Sequence, residues 1–400
     1  MKILQINCVF PLGSTGKIVK DIHNGLIKSG YESIVCYGNG SRINNTNIYK
    51  ISNKLLQKVN ALCSRINGYM YGGCFFSTQK IIHIIEKEKI DVVHLHCING
   101  HIVNIYKLLE WLKINNIKTV LTLHAEFMYT ANCGHALECE KWKYGCGNCT
   151  RLIQETKSIF GDRTHESWEK MYNAFKGFKN LKVVSVSPWL MNRAKQSPIL
   201  KDFDHKVVLN GIDTNVFKSY DTKELKKELN LQDKKIIFHA TPTFSDDINH
   251  IKGGYYIIEL AKKLQNDNIQ IIVAGNNNKN IKVPDNITLL GKITNQVELA
   301  NYYSMADIFL LTSKKETFSM TTAESLCCGT PVVGFKAGAP EQIAIKKYSS
   351  FVEHGNIDKL YKEVLRFLNI KKDIELEKIA KDKYSKENMI KKYIEIYKEC

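Results

Sequence analysis

Two glutamates lie on either side of a predicted helix start in the second half of the chain. Glu316 precedes this helix and Glu324 lies in its second turn. The first backbone amides of a helix lack intrahelical partners and carry its positive dipole end, so they can bind an anion such as a diphosphate. The flanking carboxylates could then accept hydrogen bonds from sugar hydroxyls. The alternative is that both acids merely complement the helix dipole.

A glycine loop and a histidine follow predicted strands in the first half of the chain. The loop consists of Gly13, Ser14, Thr15 and Gly16, and His124 ends a later strand. Backbone amides in a glycine loop that opens a helix can approach a phosphate closely. Open α/β sheets bind ligands at the carboxyl ends of their strands. The alternatives are a plain turn and a packed histidine at a strand end.

Four cysteines fall within one short segment, at Cys133, Cys139, Cys146 and Cys149. The last two have the Cys-x2-Cys spacing of half a zinc knuckle, and four thiolates satisfy a tetrahedral Zn²⁺. The first pair is more widely spaced than usual, and His135 could replace one ligand. Structural zinc, reduced thiols lining an ordered loop, and disulfides are all compatible with this pattern.

The positive charge of the chain is concentrated in its first half. The 400 residues include 57 Lys and Arg against 40 Asp and Glu, a net charge of +17. Residues 1–200 hold 26 basic and 13 acidic side chains, whereas the remainder holds 31 and 27. This asymmetry suggests a phosphate-bearing partner, such as a nucleic acid, an anionic lipid or a phosphorylated small molecule, or it serves only solubility.

A basic amphipathic helix is predicted over residues 54–70. Its apolar stripe comprises Leu55, Val59, Leu62, Ile66 and Tyr69. A stripe of this kind suits a membrane interface, and it equally suits packing against the first sheet.

Composition and chain pattern predict a packed α/β protein. The apolar fraction of 44% excludes wholesale disorder. No run of about 18 apolar residues predicts a membrane span, and the N-terminal residues predict a strand rather than a signal peptide. We therefore expect a cytoplasmic chain with mostly reduced thiols.

Short β-rich runs alternate with helical runs, which predicts βαβ units and parallel sheets. A single core rarely grows past roughly 250–300 residues, so two domains are expected. We predict an N-terminal domain over 1–205 with a Cys-rich insert at 125–155, and a C-terminal domain over 206–385. The final helix, 386–400, could pack back on the first domain.

Several segments together resemble a known enzyme family. Residues 314–333 resemble the Glu-x7-Glu signature of retaining glycosyltransferases with the GT-B fold, specifically glycosyltransferase family 4. Residues 208–217 are similar to that family's Asn-Gly-Ile-Asp turn, 290–293 to its nucleotide-base loop, and 252–254 to its phosphate-binding Lys-Gly. The resemblance implies the GT-B fold, with two doubly wound Rossmann-like domains facing an inter-domain cleft.

The same resemblance implies roles for individual residues. Lys252 would neutralise the diphosphate leaving group, Glu316 would contact the donor sugar, and His124 would lie near the anomeric centre. Glu324 would bind the ribose. The implied donor-binding residues are Gly13, Ser14, Thr15, Gly16, Asn210, Gly211, Gly291, Lys292, Ile293, Thr317, Phe318, Ser319 and Glu324.

The chain departs from the family pattern at three places. The family usually has an Arg shortly before the Lys-Gly, yet residues 239–251 contain no Arg or Lys, and Asp246 and Asp247 stand there instead. Ser319 and Thr312 replace a more usual Gly and Pro. Phosphate neutralisation would therefore rest on Lys252 alone or on a lysine from elsewhere.

The implied function is a hexosyltransferase-type enzyme (EC 2.4) that retains anomeric configuration. It would move a sugar from a nucleotide-diphosphate sugar to a saccharide or polyprenyl-diphosphate-linked acceptor in bacterial surface polysaccharide synthesis, that is, capsule, exopolysaccharide or O-antigen. No catalytic metal is expected, and the enzyme would lie peripherally on the inner face of the plasma membrane, on an anionic surface. One alternative is a nucleotide-sugar enzyme without acceptor transfer, such as an epimerase. A less favoured alternative is a nucleic-acid-binding protein, and we do not expect nucleic acid as a partner.

Overall fold

The computed structural model describes residues 1–265, 268–277 and 281–400. Its strands are β1 (Lys2–Val9), β2 (Glu32–Asn39), β3 (Ile48–Lys50), β4 (Val92–Leu95), β5 (Thr119–Leu123), β6 (Leu181–Ser185), β7 (Asp204–Val207), β8 (Lys235–Phe244), β9 (Ile269–Asn277), β10 (Ile287–Gly291), β11 (Ile308–Leu311), β12 (Val332–Phe335) and β13 (Ser349–Val352). Its α-helices are α1 (Gly13–Lys28), α2 (Lys54–Asn67), α3 (Phe75–Glu88), α4 (Ile105–Ile114), α5 (Phe127–Thr130), α6 (Leu152–Glu155), α7 (Thr164–Phe175), α8 (Pro188–Ala194), α9 (Lys223–Glu228), α10 (Gly254–Lys263), α11 (Gln296–Met305), α12 (Met320–Cys327), α13 (Pro340–Ile343), α14 (Ile357–Leu368), α15 (Ile374–Tyr384) and α16 (Lys386–Lys398).

The chain divides into two compact units. The first comprises Met1–Leu209 together with Met389–Cys400, and the second comprises Asn210–Asn388. The second boundary falls inside α16, so most of this helix belongs to the first unit. Each unit is built on a parallel sheet of the Rossmann-like type, as the β/α alternation predicts.

Residues 1–209, all of which are described, form a seven-stranded parallel sheet in the order β3-β2-β1-β4-β5-β6-β7. The central strands are buried, which explains their nearly continuous apolar sequences. On one face, Ile18 and Ile22 of α1 and Tyr393 of α16 join a core with Val92 and Val120 of the sheet. The glycine loop after β1 and the histidines after β4 and β5 thus meet at one edge.

The described residues of the second unit form a six-stranded parallel sheet in the order β10-β9-β8-β11-β12-β13. Its core includes Ile257 of α10 and Val364 of α14, packed with Ile271 and Val333 of the sheet. The carboxyl ends of β8, β9 and β11 therefore lie side by side. Lys252 lies after β8, Lys292 and Ile293 follow β10, and residues 316–319 lie after β11.

The apolar stripe of α2 is exposed instead of packing on the first sheet. The exposed fractions are 72% for Leu55, 49% for Val59, 55% for Leu62 and 48% for Ile66. Packing against the sheet, one of the two interpretations of this stripe, is therefore wrong for these four side chains. In the described part of the chain, no helix has both the length and the apolar content needed to cross a bilayer.

Candidate active site

The predicted phosphate-binding lysine lies in a loop fixed to the end of β11. Gly253 begins α10 with a φ of 68°, and a Cβ at this position would lie 2.1 Å from the carbonyl oxygen of Thr312. Only glycine allows so close an approach in this left-handed conformation. The Thr312 hydroxyl donates to the carbonyl oxygen of Lys252 at 3.1 Å, so the threonine in the usual proline position helps to hold the loop.

The Lys252 ammonium and the Glu316 carboxylate form an ion pair. Lys252 Nζ lies 2.6 Å from Glu316 Oε1, and the two side chains are 28% and 16% exposed. The Glu316 backbone is fixed on both sides, because its amide donates to the Ala337 carbonyl at 2.8 Å and its carbonyl accepts from the Ala339 amide at 3.2 Å. Two residues that are 64 positions apart in the chain thus form one charged group.

Ser319, the residue before α12, caps this helix in a backbone conformation that favours glycine. Its φ is 76°, in the left-handed region, and its side-chain oxygen accepts from the Thr322 amide at 3.3 Å. This cap satisfies one of the free amides of the first turn. Phe318 is buried, so its side chain anchors the segment while the backbone of residues 317–319 passes the helix start.

A tyrosine orients Glu324, the second of the two glutamates predicted for the donor site. The Tyr303 hydroxyl donates to Glu324 Oε2 at 3.1 Å. Burial and the neighbouring carboxylate hold the pKa of Tyr303 well above its usual value, so the phenol remains a hydrogen-bond donor. Tyr303 lies on α11 and has no recognisable sequence signal, so sequence reasoning missed it.

A cavity of about 300 Å³ opens at the carboxyl ends of β8 and β9. Thr241 and Asn276 line it from the two strands, and Thr321 lines it from the first turn of α12. Lys292 and Ile293, which were predicted from the base loop, are also lining residues. The preceding Gly291 has a φ of 74° at an irregularity at the end of β10. The cavity therefore includes a lysine that could supplement Lys252.

Two predicted donor residues lie elsewhere in the second unit. Asn210 and Gly211 do not line the 300 Å³ cavity, and neither do Gly291, Glu324 and residues 317–319. The adjoining Ile212 amide donates to the Tyr384 carbonyl at 2.7 Å, and the Asp213 carboxylate pairs with Lys386 at 2.6 Å. These contacts attach the turn to α15 and α16, which gives it a structural role in the described residues.

The glycine loop of the first unit approaches β1 closely. Gly13 has a φ of 74°, and a Cβ on Gly16 would lie 3.2 Å from both Val9 O and Pro11 C. Asn7 Nδ2 donates to the Val9 carbonyl at 2.8 Å and lies 3.3 Å from Thr15 Oγ1. Ser14 is exposed beside them. The loop is ordered by these contacts and by its two glycines.

His124 belongs to a buried row of hydrogen-bonded side chains. Its Nε2 lies 3.1 Å from His96 Nδ1, and His96 Nε2 lies 3.3 Å from Gln5 Oε1. Burial lowers the pKa of His124 to about 4 and holds that of His96 well below its usual value. The His124 imidazole is therefore neutral near pH 7. Gln5 and His96 are further residues that sequence reasoning did not connect with His124.

The four cysteines of the insert line one small cavity of about 20 Å³. All four are free thiols in the structure, so the disulfide alternative does not describe it. Burial, with neighbouring thiolates, raises the pKa of Cys146 to about 12. Within the described residues, no three His, Cys, Asp or Glu side chains are grouped closely enough to hold a metal ion. Structural zinc stays a prediction.

The chain is similar in sequence to several known proteins. Residues 221–386 match the family model described as "Glycosyl transferases group 1". The chain is 24% identical over 276 residues to N-acetyl-alpha-D-glucosaminyl L-malate synthase of Bacillus anthracis, a match that covers 66% of this chain and 61% of that relative. It is 20% identical over 424 aligned positions to "Putative colanic acid biosynthesis glycosyl transferase WcaC" of Escherichia coli K12, covering 99% of both chains.

Solved structures show the same fold. A glycosyltransferase from Rickettsia africae has a TM-score of 0.67 at 18% identity, covering 100% of this chain and 98% of that one. Anabaena HepE in complex with UDP has a TM-score of 0.67 at 14% identity, covering 100% of both. These likenesses support the GT-B fold. The chain thus has this fold, and its residues 221–386 form a glycosyl transferases group 1 domain.

Proposed function

We propose that this enzyme transfers a hexose from a nucleotide-diphosphate sugar to a saccharide or lipid-linked acceptor, with retention of anomeric configuration, in bacterial surface polysaccharide synthesis. The observation that carries the proposal is the Lys252 ammonium, held 2.6 Å from Glu316 at the segment that leads into α12. A fixed cation beside a helix N-terminus is the arrangement that a diphosphate leaving group requires.

The 300 Å³ cavity supports a nucleotide donor. Its volume lies at the lower end of the usual range for small-molecule sites. HepE, which has the same fold, has been solved in complexes named with UDP and with UDP-glucose. We propose that the base occupies this cavity beside Lys292 and Ile293, and that Glu324 binds the ribose. Lys252 remains the cation proposed for the diphosphate.

The proposed reaction breaks the bond between the anomeric carbon and the donor phosphate oxygen. The acceptor oxygen forms its new bond to that carbon on the same face, and the acceptor hydroxyl proton passes to the departing phosphate oxygen. Negative charge grows on the diphosphate during this step, so Lys252 stabilises the transition state more than the ground state. We propose no catalytic metal, because the lysine charge takes this role.

Glu316 and His124 are proposed to orient the sugar. Glu316 accepts hydrogen bonds from sugar hydroxyls, and its fixed backbone limits the reorganisation needed at the moment of reaction. Neutral His124 exchanges a hydrogen bond with a hydroxyl near the anomeric centre, without acting as a cation. Gly13–Gly16 would offer backbone amides to a phosphate. This set of roles requires no protein base.

An acceptor at an anionic membrane face is proposed from the charge and surface of the first unit. Residues 1–200 carry a net charge of +13, whereas the half with Lys252 and Glu316 is nearly neutral, so donor binding does not account for the excess. The exposed apolar stripe of α2 adds a surface that suits a bilayer interface. The relative WcaC is named as a putative colanic acid biosynthesis glycosyl transferase, and its name is consistent with the proposed saccharide product.

A thermal-shift screen against UDP-, ADP- and GDP-sugars tests the donor, because a ligand that binds the native state raises the melting temperature. A stabilising nucleotide sugar is then incubated with candidate acceptors, and NMR identifies the anomeric configuration of the product. An inverted product would contradict retention. Epimerisation of the donor without acceptor would support the epimerase alternative, and no shift with any nucleotide sugar would contradict the donor proposal.

A further inference from the structure

A groove of about 590 Å³ lies at the edge of the first unit's sheet. The segment that leads into β3, β3 itself and the first turn of α2 form its walls, with Lys80 of α3 beside them. Because β3 is an edge strand, one side of its backbone has no neighbouring strand within the described chain. Such an edge can accommodate a ligand next to the sheet.

The groove is positively charged. Arg42, Lys50 and Lys80 line it, and none of its lining residues in the described chain is an Asp or Glu. Lys50 Nζ donates to the Gly40 carbonyl at 2.7 Å, and Lys80 Nζ donates to the Lys50 carbonyl at 2.9 Å. These bonds fix both ammonium groups, and each ammonium keeps further donors for a ligand.

The carboxylate of Glu88, which contacts the lining residue Tyr49, is already engaged. Glu88 Oε1 accepts from the Tyr49 hydroxyl at 3.4 Å, and Glu88 Oε2 lies 3.5 Å from Lys2 Nζ. Among the described residues, no ion pair with a carboxylate is recorded for the three groove cations. These three cations are therefore free of competition from a paired carboxylate of the described chain.

The groove continues onto the exposed face of α2. Leu56 lines the groove and is itself 41% exposed. The apolar stripe begins at the adjacent Leu55 and extends along the helix, while Lys54, Lys58 and Arg65 occupy other positions on it. The sequence of α2 contains no acidic residue. An apolar stripe with basic residues around it is typical of a helix that lies in the headgroup region of an anionic bilayer.

We propose that this groove binds the phosphate of an anionic membrane lipid, whose acyl region lies against the apolar stripe of α2. The inference rests on the membrane association in the proposed function and adds a specific headgroup site to it. Arg and Lys side chains suit phosphate oxygens, with Arg42 able to bind two of them at once. An acidic peptide would satisfy the cations but would leave the apolar stripe exposed to water.

The test is vesicle co-sedimentation of the full chain. One set of phosphatidylcholine vesicles is made anionic with phosphatidic acid, and a second set is brought to the same zeta potential with oleate, which carries no phosphate. We expect the wild type to prefer phosphatidic acid. The groove variant R42Q/K80Q should lose this preference and about tenfold or more of its partitioning, because each basic residue at an anionic surface contributes substantially to binding.

The matched control removes two charges from the opposite end of the sheet. K179Q/K201Q changes exposed lysines that precede β6 and β7, so partitioning should stay within about twofold of wild type. Equal losses in the two variants would overturn the groove site, since net charge alone would then explain binding. Equal affinity of the wild type for glycerol phosphate and for phosphatidic acid vesicles would also overturn it, in favour of a soluble phosphate.

The failure of the groove site and that of the membrane proposal are distinguishable. If the wild type binds neither set of vesicles, the proposed membrane association fails and the groove site fails with it. If it binds both sets equally and R42Q/K80Q behaves as wild type, only the groove site fails. Binding of nucleotide sugars by both variants, measured by thermal shift, reports on the donor site independently.

Discussion

Replacement of Lys252 by Met removes the cation of the proposed donor site while keeping a long apolar stem. In the structure the lost contact is the 2.6 Å pair with Glu316, whose side chain is 16% exposed. A partly exposed ion pair contributes about 0–1 kcal/mol to stability, and leaving its partner unpaired adds roughly 1 kcal/mol. The expected destabilisation is therefore about 1–2 kcal/mol.

The expected effect on catalysis is larger. A preorganised charge aimed at developing negative charge contributes about 10²–10³ in turnover, or roughly 3–4 kcal/mol of barrier. K252M should therefore lower kcat by about 10²–10³ while the chain stays folded. A residue that only stabilised the fold would change the unfolding free energy without a separate loss of turnover.

The assay measures release of the nucleoside diphosphate from the donor found by thermal shift, with urea denaturation run in parallel. The matched control is K262M. Lys262 Nζ lies 2.7 Å from Glu259 in an exposed ion pair, and both residues lie on α10. K262M should leave turnover unchanged. Turnover of K252M within about fivefold of wild type, or an equal loss in K262M, would refute the reasoning.

Three further predictions concern the cap of α12, the histidine row and the cysteines. S319G should raise the unfolding free energy by about 0.5 kcal/mol, because relief of left-handed strain slightly exceeds the loss of the cap. S319A should lower the unfolding free energy by about 1 kcal/mol, because it loses the cap and keeps the strain. Urea denaturation measures both values, and a more stable S319A would contradict this account. Because His124 has a pKa of about 4 in the folded chain against about 6.5 when unfolded, the unfolded state takes up its proton first as the pH falls. Stability should therefore decrease from about pH 6.5 to about pH 4, by up to roughly 3 kcal/mol from this group, and H124N should show a shallower decrease in pH-dependent denaturation. An identical pH dependence in H124N would contradict a buried neutral His124. If the Cys-rich insert binds structural zinc, elemental analysis of the purified protein should find stoichiometric zinc that C146S loses, since four cysteines suit a tetrahedral site once their side chains are drawn together. Zinc-free wild-type protein would contradict the zinc prediction.

The strands that carry the site were predictable because each has its own local signal. The apolar run of β11 predicts the same bounds, Ile308–Leu311, that the structure has. Three edge strands, β3, β7 and β13, have no comparable signal. Their residues are only partly buried, and none is longer than four residues. Short strands at a sheet edge owe their pairing to a neighbour rather than to a pattern of their own.

The site residues that could be predicted from the sequence are those that lie in continuous motifs. The glycine loop and the segment around Glu316 are continuous motifs, so their residue types and spacing are visible in the chain. The partner of Glu324, Tyr303, is a single residue on another helix. His96, which follows β4, contacts His124, and Gln5 of β1 contacts His96. Nothing in the local sequence of these partners distinguishes them from ordinary core residues.

The sequence by itself determined the two parallel sheets, because alternating β and α periodicities specify βαβ units locally. It also determined that a lysine, two glutamates and a histidine follow strand ends. Only the tertiary structure decided that Lys252 contacts Glu316 and that the stripe of α2 faces solvent instead of the sheet. Both outcomes depend on chain segments far apart in sequence, and the amphipathic pattern of a helix is the same whether a core or a bilayer covers its apolar side.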